Sequence, residues 1–128
     1  MDLTGERFFL DTSCIDRIYR KSHPQAKEIY FDTAKRKYSS NYMLKEAYRL
    51  FVRKGWSQQE ISLALDEIRR KCVIIDIGPD KASAIEISDK SDAPIVAGAK
   101  AVDATLVTAD RKLAKEASAY VKVLLLGP

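Results

Sequence analysis

Apolar positions in this chain follow two patterns: short uninterrupted runs, and runs that recur every three or four residues. The first suits strands and the second amphipathic helices. Arg7–Leu10 (RFFL), Cys72–Ile77 (CVIIDI), Thr105–Thr108 and Val121–Leu126 (VKVLLL) therefore predict about four strands. A short helix follows the first strand, from Asp11-Thr12-Ser13 to about Arg20. Ser22-His23-Pro24-Gln25 reads as a capping box with proline in the first turn, opening a helix on which Ala26, Ile29, Tyr30 and Thr33 recur and which ends in Lys35-Arg36-Lys37. Leu44, Ala47, Tyr48 and Phe51 form the stripe of the next helix, with Gly55 as its stop. Ser57 and Glu60 frame a capping box before the stripe Ile61, Ala64, Leu65 and Ile68, and Arg69-Arg70-Lys71 suits the negative end of that helix. A short helix is expected around Lys81–Ile87 and another over Asp110–Ala117. Asp92–Val102 is apolar or small nearly all round, so that helix must be buried. Apolar strands separated by helices imply a central parallel sheet covered on both faces, an α/β domain of three layers, α/β/α.

Size and composition narrow this picture. With 128 residues, 46% of them hydrophobic and 31% charged, the chain reads as a single folded domain over residues 1–128. No apolar run reaches the ~18 residues of a membrane span, and Met1–Arg7 carries two acids where a secretory leader needs positive charge, so neither is expected. Cys14 and Cys72, 58 positions apart with no CxxC, read as small buried hydrophobes in a reducing compartment, which makes the cytoplasm the expected location. His23, in a polar connection, reads as a surface residue. The net charge of +4 is unevenly spread: from Arg17 to Lys54 there are eleven basic residues and three acids. Such a stretch is either a solvated helix face or a field that attracts phosphate backbones. Aromatic residues crowd the same half, more of them than two buried stripes require, so some are expected at a contact with a second copy or another protein.

Functional groups of an open parallel sheet collect beyond the carboxyl ends of its strands. Asp11 and Asp110 follow strands there, and Asp92 opens the buried helix leading back to the Thr105–Thr108 strand. Glu46 lies on the shoulder of its helix's apolar stripe and leans toward the same edge. Each acid has an ordinary reading. The three aspartates stand where N-caps stand, and Glu46 could pair with Arg49 at i+3. Taken together, carboxylates in one semi-buried cleft repel, and relief comes from raised pKa values or a bound divalent cation. With no His or Cys nearby the fitting cation is hard, Mg²⁺ or Mn²⁺. Beside a positive surface this points to phosphodiester hydrolysis.

The segments Phe8-Phe9-Leu10-Asp11-Thr12-Ser13, Ser39 through Leu50 with Glu46, and Asp92-Ala93-Pro94-Ile95-Val96-Ala97 through Leu106-Val107-Thr108-Ala109-Asp110 resemble the motifs of PIN-domain ribonucleases, most of all the VapC-type toxins. The resemblance spans nearly the whole chain and holds the four family acids, Asp11, Glu46, Asp92 and Asp110, in order. It implies a metal-dependent endoribonuclease with a central parallel sheet, an RNA substrate, a homodimer and, for a toxin, a small antitoxin partner. On this reading Asp11, Asp92 and Asp110 are ligands of Mg²⁺ or Mn²⁺, and Glu46 is a ligand or orients the attacking water. Thr12, Ser13 and Thr108 support the acids, by the same resemblance, or else cap helices. Lys45, Arg49 and Arg53 by helical position, and Arg111 and Lys112 beside Asp110, are candidates to hold RNA. The chain departs from the pattern at Lys112, where many members carry a further Asp or Asn, and at Asp103, a turn position that is often Gly.

Two other classes compete. A binding module on the same scaffold would bind RNA or protein with little turnover. A phosphatase or phosphoacceptor domain would use Asp11 as nucleophile, but lacks a second Asp at Ser13 and an acidic pair before the first strand.

Overall fold

A computed structural model describes residues 6–128; most of the acid-bearing start of the chain lies outside the described residues. The element order is β1 (Arg7–Leu10), α1 (Thr12–Tyr19), α2 (Pro24–Phe31), β2 (Arg36–Ser40), α3 (Asn41–Arg53), α4 (Gln58–Lys71), β3 (Val73–Ile75), α5 (Pro79–Ser83), a 3-10 turn (Lys90–Asp92), α6 (Ala93–Ala101), β4 (Thr105–Thr108), α7 (Arg111–Ala117) and β5 (Val123–Leu125). The five strands among the described residues are all parallel, in the order β3-β2-β1-β4-β5.

The sheet separates two cores, and the two-residue period of the strands assigns residues to them. Phe8, Leu10 and Val107 join Cys14, Ile15, Tyr30, Met43, Phe51 and Ile68 from α1–α4. Phe9 and Leu106 join Ile85, Ile95, Val96, Ala99 and Leu113 from the α5–α7 side. This is the three-layer α/β/α arrangement expected from the sequence. Gly98 is where α6 lies closest to the sheet: a Cβ there would stand 2.6 and 2.7 Å from ring carbons of Phe9.

β2 is the strand beyond the four apolar runs. Its residues, RKYSS, fall partly where the sequence continues a helix, but α2 ends at Phe31 and the chain pairs with β1 from Arg36. β2 is stable because its buried polar groups are bonded: Ser39 donates to the Leu10 carbonyl at 2.7 Å, and Lys37 Nζ to the Asp32 carbonyl at 2.6 Å. The capping box expected at Ser22 is also replaced. His23 is the N-cap, its Nδ1 accepting from Ala26 N at 3.3 Å, while Nε2, 3.0 Å from the Gly127 carbonyl, ties α2 to the C-terminal segment. His23 is therefore half-buried and structural, not a free surface residue. The helix expected around Lys81–Ile87 is α5, shifted toward Pro79, with Ile85 and Ile87 instead buried in the second core.

Two helix ends match the sequence closely. Ser57 and Glu60 form a reciprocal capping box on α4. α3 ends in a Schellman motif: Gly55, at φ 82°, donates to the Val52 carbonyl, Trp56 N donates to that of Phe51, and the Phe51 and Trp56 rings stack at 4.3 Å. No helix among the described residues is long and apolar enough to cross a membrane.

Candidate functional site

The chain leaves β1 toward β2 and β3 on one side, then returns to β4 and β5 on the other. The connections thus diverge between β1 and β4, and the crevice at their carboxyl ends is where ligands meet such sheets. Asp11 follows β1 there and Asp110 follows β4.

Asp11 is buried, at 4% exposure. As N-cap of α1 its Oδ1 accepts from Cys14 N at 2.8 Å and from Ser13 Oγ at 2.7 Å, while Oδ2 accepts from Thr108 Oγ1 at 2.5 Å. Ser13 Oγ and Thr108 Oγ1 in turn accept from Ala109 N and Asp110 N. Each hydroxyl has a single proton, so both are spent on Asp11 and the carboxylate keeps a lone pair on Oδ2. Burial raises its pKa to about 6 against these three hydrogen bonds, and the Asp110 carboxylate adds to the rise.

Asp110 is exposed and caps α7, accepting from Leu113 N at 3.1 Å. Glu46, half-buried on α3, accepts from Thr12 Oγ1 at 3.1 Å across the crevice. Among the described residues it forms no ion pair with Arg49.

Asp92 behaves differently from the other aspartates. It is the N-cap of α6 by position, yet its side chain makes no capping hydrogen bond. Its half-buried carboxylate has a pKa of about 6, raised first by burial and then by Asp89, Asp11, Asp110 and Glu46. All four sequence-predicted acids thus share one field, which capping alone does not explain. The donors are all oxygen, the set a hard divalent cation takes. As they stand, no three His, Cys, Asp or Glu side chains among the described residues are close enough to chelate an ion directly.

The basic candidates divide. Lys45 and Arg49 line a cleft of about 550 Å³ with Tyr48, Arg69, Asn41 and Asp76. Asn41 and Asp76 directly follow β2 and β3, so this cleft opens at the same end of the sheet as the acids. Arg53, at the last position of α3, lies about 10 Å along the axis from Glu46 and is not brought to the site. Arg111 lines a separate cleft of about 250 Å³ with Arg17 and the C-terminal residues. The Asp89 and Glu116 carboxyls are held below their usual pKa by hydrogen bonds from Ser91 and Ser88 respectively, and the Lys112 charge adds a smaller part to each.

Sequence reasoning passed over Asp89, Tyr42 and Arg69. Asp89 caps the 3-10 turn through Ser91 N and Oγ and is the carboxylate that acts most on Asp92; its i, i+3 spacing from Asp92 was the available signal. Tyr42 faces the acids: burial, then Glu46, Asp92 and Asp89, raise its phenol pKa, against a hydrogen bond with Ser91.

Residues 8–118 match the model of the PIN domain, and the chain belongs to that family. Its fold is similar to that of VapBC2 from Rickettsia felis, solved bound to a DNA fragment from their promoter, with a TM-score of 0.72 and 19% identity over 94% of this chain and 99% of that one. It is also similar to Mycobacterium tuberculosis VapC20, described as a Sarcin-Ricin loop cleaving toxin, at TM-score 0.69 and 18% identity over 91% and 98% of the two chains. FitAcB from Neisseria gonorrhoeae gives 0.65 and 18% over 91% and 96%. No curated protein matches the sequence.

Proposed function

We propose that the protein is a metal-dependent endoribonuclease that hydrolyses RNA phosphodiester bonds in the cytoplasm, as the toxin of a toxin–antitoxin pair. The observation that carries this reading is the Asp92 carboxylate, uncommitted at the head of α6 in the field of Asp11, Glu46 and Asp110. Asp92, Asp11 through its open Oδ2 lone pair, and Asp110 would hold Mg²⁺ or Mn²⁺, directly or through water. When bound, such an ion neutralises the acids and supplies Lewis-acid chemistry at the phosphate. Ser13 and Thr108 fix the Asp11 carboxylate, and Thr12 bonds Glu46, which would be a further ligand or orient the attacking water. Lys45 and Arg49, at the same edge, hold the RNA backbone. Asp110 is exposed and Glu46 and Asp92 half-buried, an open surface that suits a polymer better than an engulfed small molecule.

The toxin assignment is supported by likeness to VapBC2, VapC20 and FitAcB, and a small antitoxin is the partner they suggest. α3 and α4 leave Tyr48, Val52 and Leu63 exposed, apolar surface that an antitoxin or the second copy of a homodimer would cover.

The test is cleavage of mixed tRNA and rRNA by the purified protein with Mn²⁺, Mg²⁺ or EDTA, beside Asp92→Asn. Cutting is expected with either metal, lost in EDTA and at least 100-fold weaker in the variant, the scale of a lost charge-stabilising group. RNA binding without cutting under any metal would favour a binding module. A small upstream reading frame would support the toxin assignment.

A further inference from the structure

The basic run Lys35-Arg36-Lys37 has no part in the acidic site, because it enters β2 at the opposite, amino end of the sheet. The end of α4 brings Arg70 and Lys71 to the same place. These five cations line one cleft of about 460 Å³ together with Phe31, and among the described residues no carboxylate lines it. Lys35 is ion-paired with Asp32 and Glu6, at 2.9 and 3.6 Å. Arg36 and Arg70 are exposed and in no ion pair among the described residues. Lys71 Nζ sits 4.9 Å over the Phe31 ring, which is 47% exposed. Burial holds the Lys37 ammonium below its usual pKa, with Lys71 and Lys35 adding to the fall and Cys72 and Asp32 opposing it.

Cations around a half-exposed aromatic ring, here Phe31, are the combination that binds single-stranded nucleic acid, phosphates on the cations and a base against the ring. A second copy of this chain presenting the same face would set cation against cation, and an acidic peptide would leave the aromatic surface unused. We propose that this cleft is a second contact for single-stranded RNA, gripping the substrate at a distance from the acids. The inference rests on the ribonuclease reading for the identity of its ligand. β2 separates the cleft from the acidic crevice by its five residues, about 15 Å, so the cleft adds affinity without touching the reacting bond.

The experiment measures binding of a fluorescein-labelled, unstructured 20-nucleotide RNA by anisotropy across a salt series. The full chain carrying Asp92→Asn is used so that the probe stays intact, with and without Arg36→Gln and Arg70→Gln. On a single strand each phosphate contact contributes about 0.7 to the slope of log K against log salt; losing two lowers the slope by about 1.4 and, near 0.1 M salt, the affinity roughly 20-fold. Lys81→Gln with Lys115→Gln, exposed positions outside both clefts, removes the same net charge and is expected to change affinity less than twofold. Equal losses in the two pairs, an unchanged slope for Arg36→Gln and Arg70→Gln, or displacement of RNA by poly-glutamate at matched ionic strength overturns the proposal. Cleavage by the chain with native Asp92 keeps the two readings apart. Cutting whose KM ignores Arg36 and Arg70 sinks the cleft but leaves the nuclease, and slope-dependent binding without cutting does the reverse.

Discussion

Asp11 is the residue whose surroundings disagree most about its charge. Burial opposes ionisation while Thr108, Ser13 and Cys14 N all favour it, and the balance leaves a pKa of about 6 against the ordinary 3.8 of an aspartate. A carboxyl that holds its proton more tightly folded than unfolded makes the native state the richer in protons between those two values. Stability therefore falls as pH rises from about 4 to about 6, by about 3 kcal/mol for this group, and is level above. Asp92 shifts the same way, but solvent reaches its half-exposed side chain and its share is smaller. Urea denaturation of metal-free protein should show that decline, and Asp11→Asn should flatten much of it; a stability that climbs from pH 4 to 6 would refute the assignment. Thr108→Val removes a hydrogen bond to a buried charge, so a loss of about 1.5–3 kcal/mol is expected at pH 7 and less at pH 4.5, where Asp11 is neutral. The same residues show what a sequence reveals about a site. Asp11, Asp92 and Asp110 all look like helix caps, and two of them are. Only the contacts in space separate Asp92 from them, since whether a carboxylate reaches its own backbone depends on the preceding 3-10 turn, whose Asp89 takes the capping work.

At the scale of elements, α6 is held against β1 by the absence of a side chain at Gly98. Adding one methyl puts a Cβ inside contact distance of the Phe9 ring, which is fully buried and has no room to swing. Gly98→Ala gains helix propensity of about 1 kcal/mol but overpacks by more, for a net cost of about 1–2 kcal/mol in chemical denaturation. Gly55→Ala loses about 1 kcal/mol for a different reason: space is free there, but φ is 82°. Neutral outcomes at both sites would mean that neither close approach nor the left-handed turn is held in solution. Elements were legible where their chemistry was apolar or capped. β1, β4, the α4 capping box and the Gly55 stop follow from pattern alone. β2 did not, because a strand second from the sheet edge built from Arg, Lys, Tyr and two Ser has no apolar signature; its stability comes from hydrogen bonds to Leu10 and Asp32 that only the tertiary fold supplies. Its misreading as helix also concealed the basic cleft, since Lys35-Arg36-Lys37 looked like an end of α2 and not an entrance to the sheet.

For the whole molecule, the acidic crevice exists only once the chain has closed around the sheet. Asp11, Glu46, Asp92 and Asp110 come from the end of β1, from α3, from the head of α6 and from the end of β4, and both helical layers contribute. A cation held by them binds the native state and nothing comparable in the unfolded chain, so its binding free energy appears as stability. At a hundred times its dissociation constant Mn²⁺ would add about 2.7 kcal/mol, or roughly 10 °C in Tm for a domain of this size. Protons compete for the same oxygens, and with Asp11 and Asp92 both near pKa 6 the shift should be largest at pH 7 and shrink markedly by pH 5. Asp92→Asn should abolish most of it while raising the metal-free Tm slightly at pH 7, since one of several repelling charges is gone. Differential scanning fluorimetry with Mn²⁺, Mg²⁺ and EDTA reads all of this without RNA. A Tm shift equal in native protein and variant, or equal at pH 5 and pH 7, would place the ion elsewhere on the surface and remove the basis for metal-dependent chemistry at this crevice.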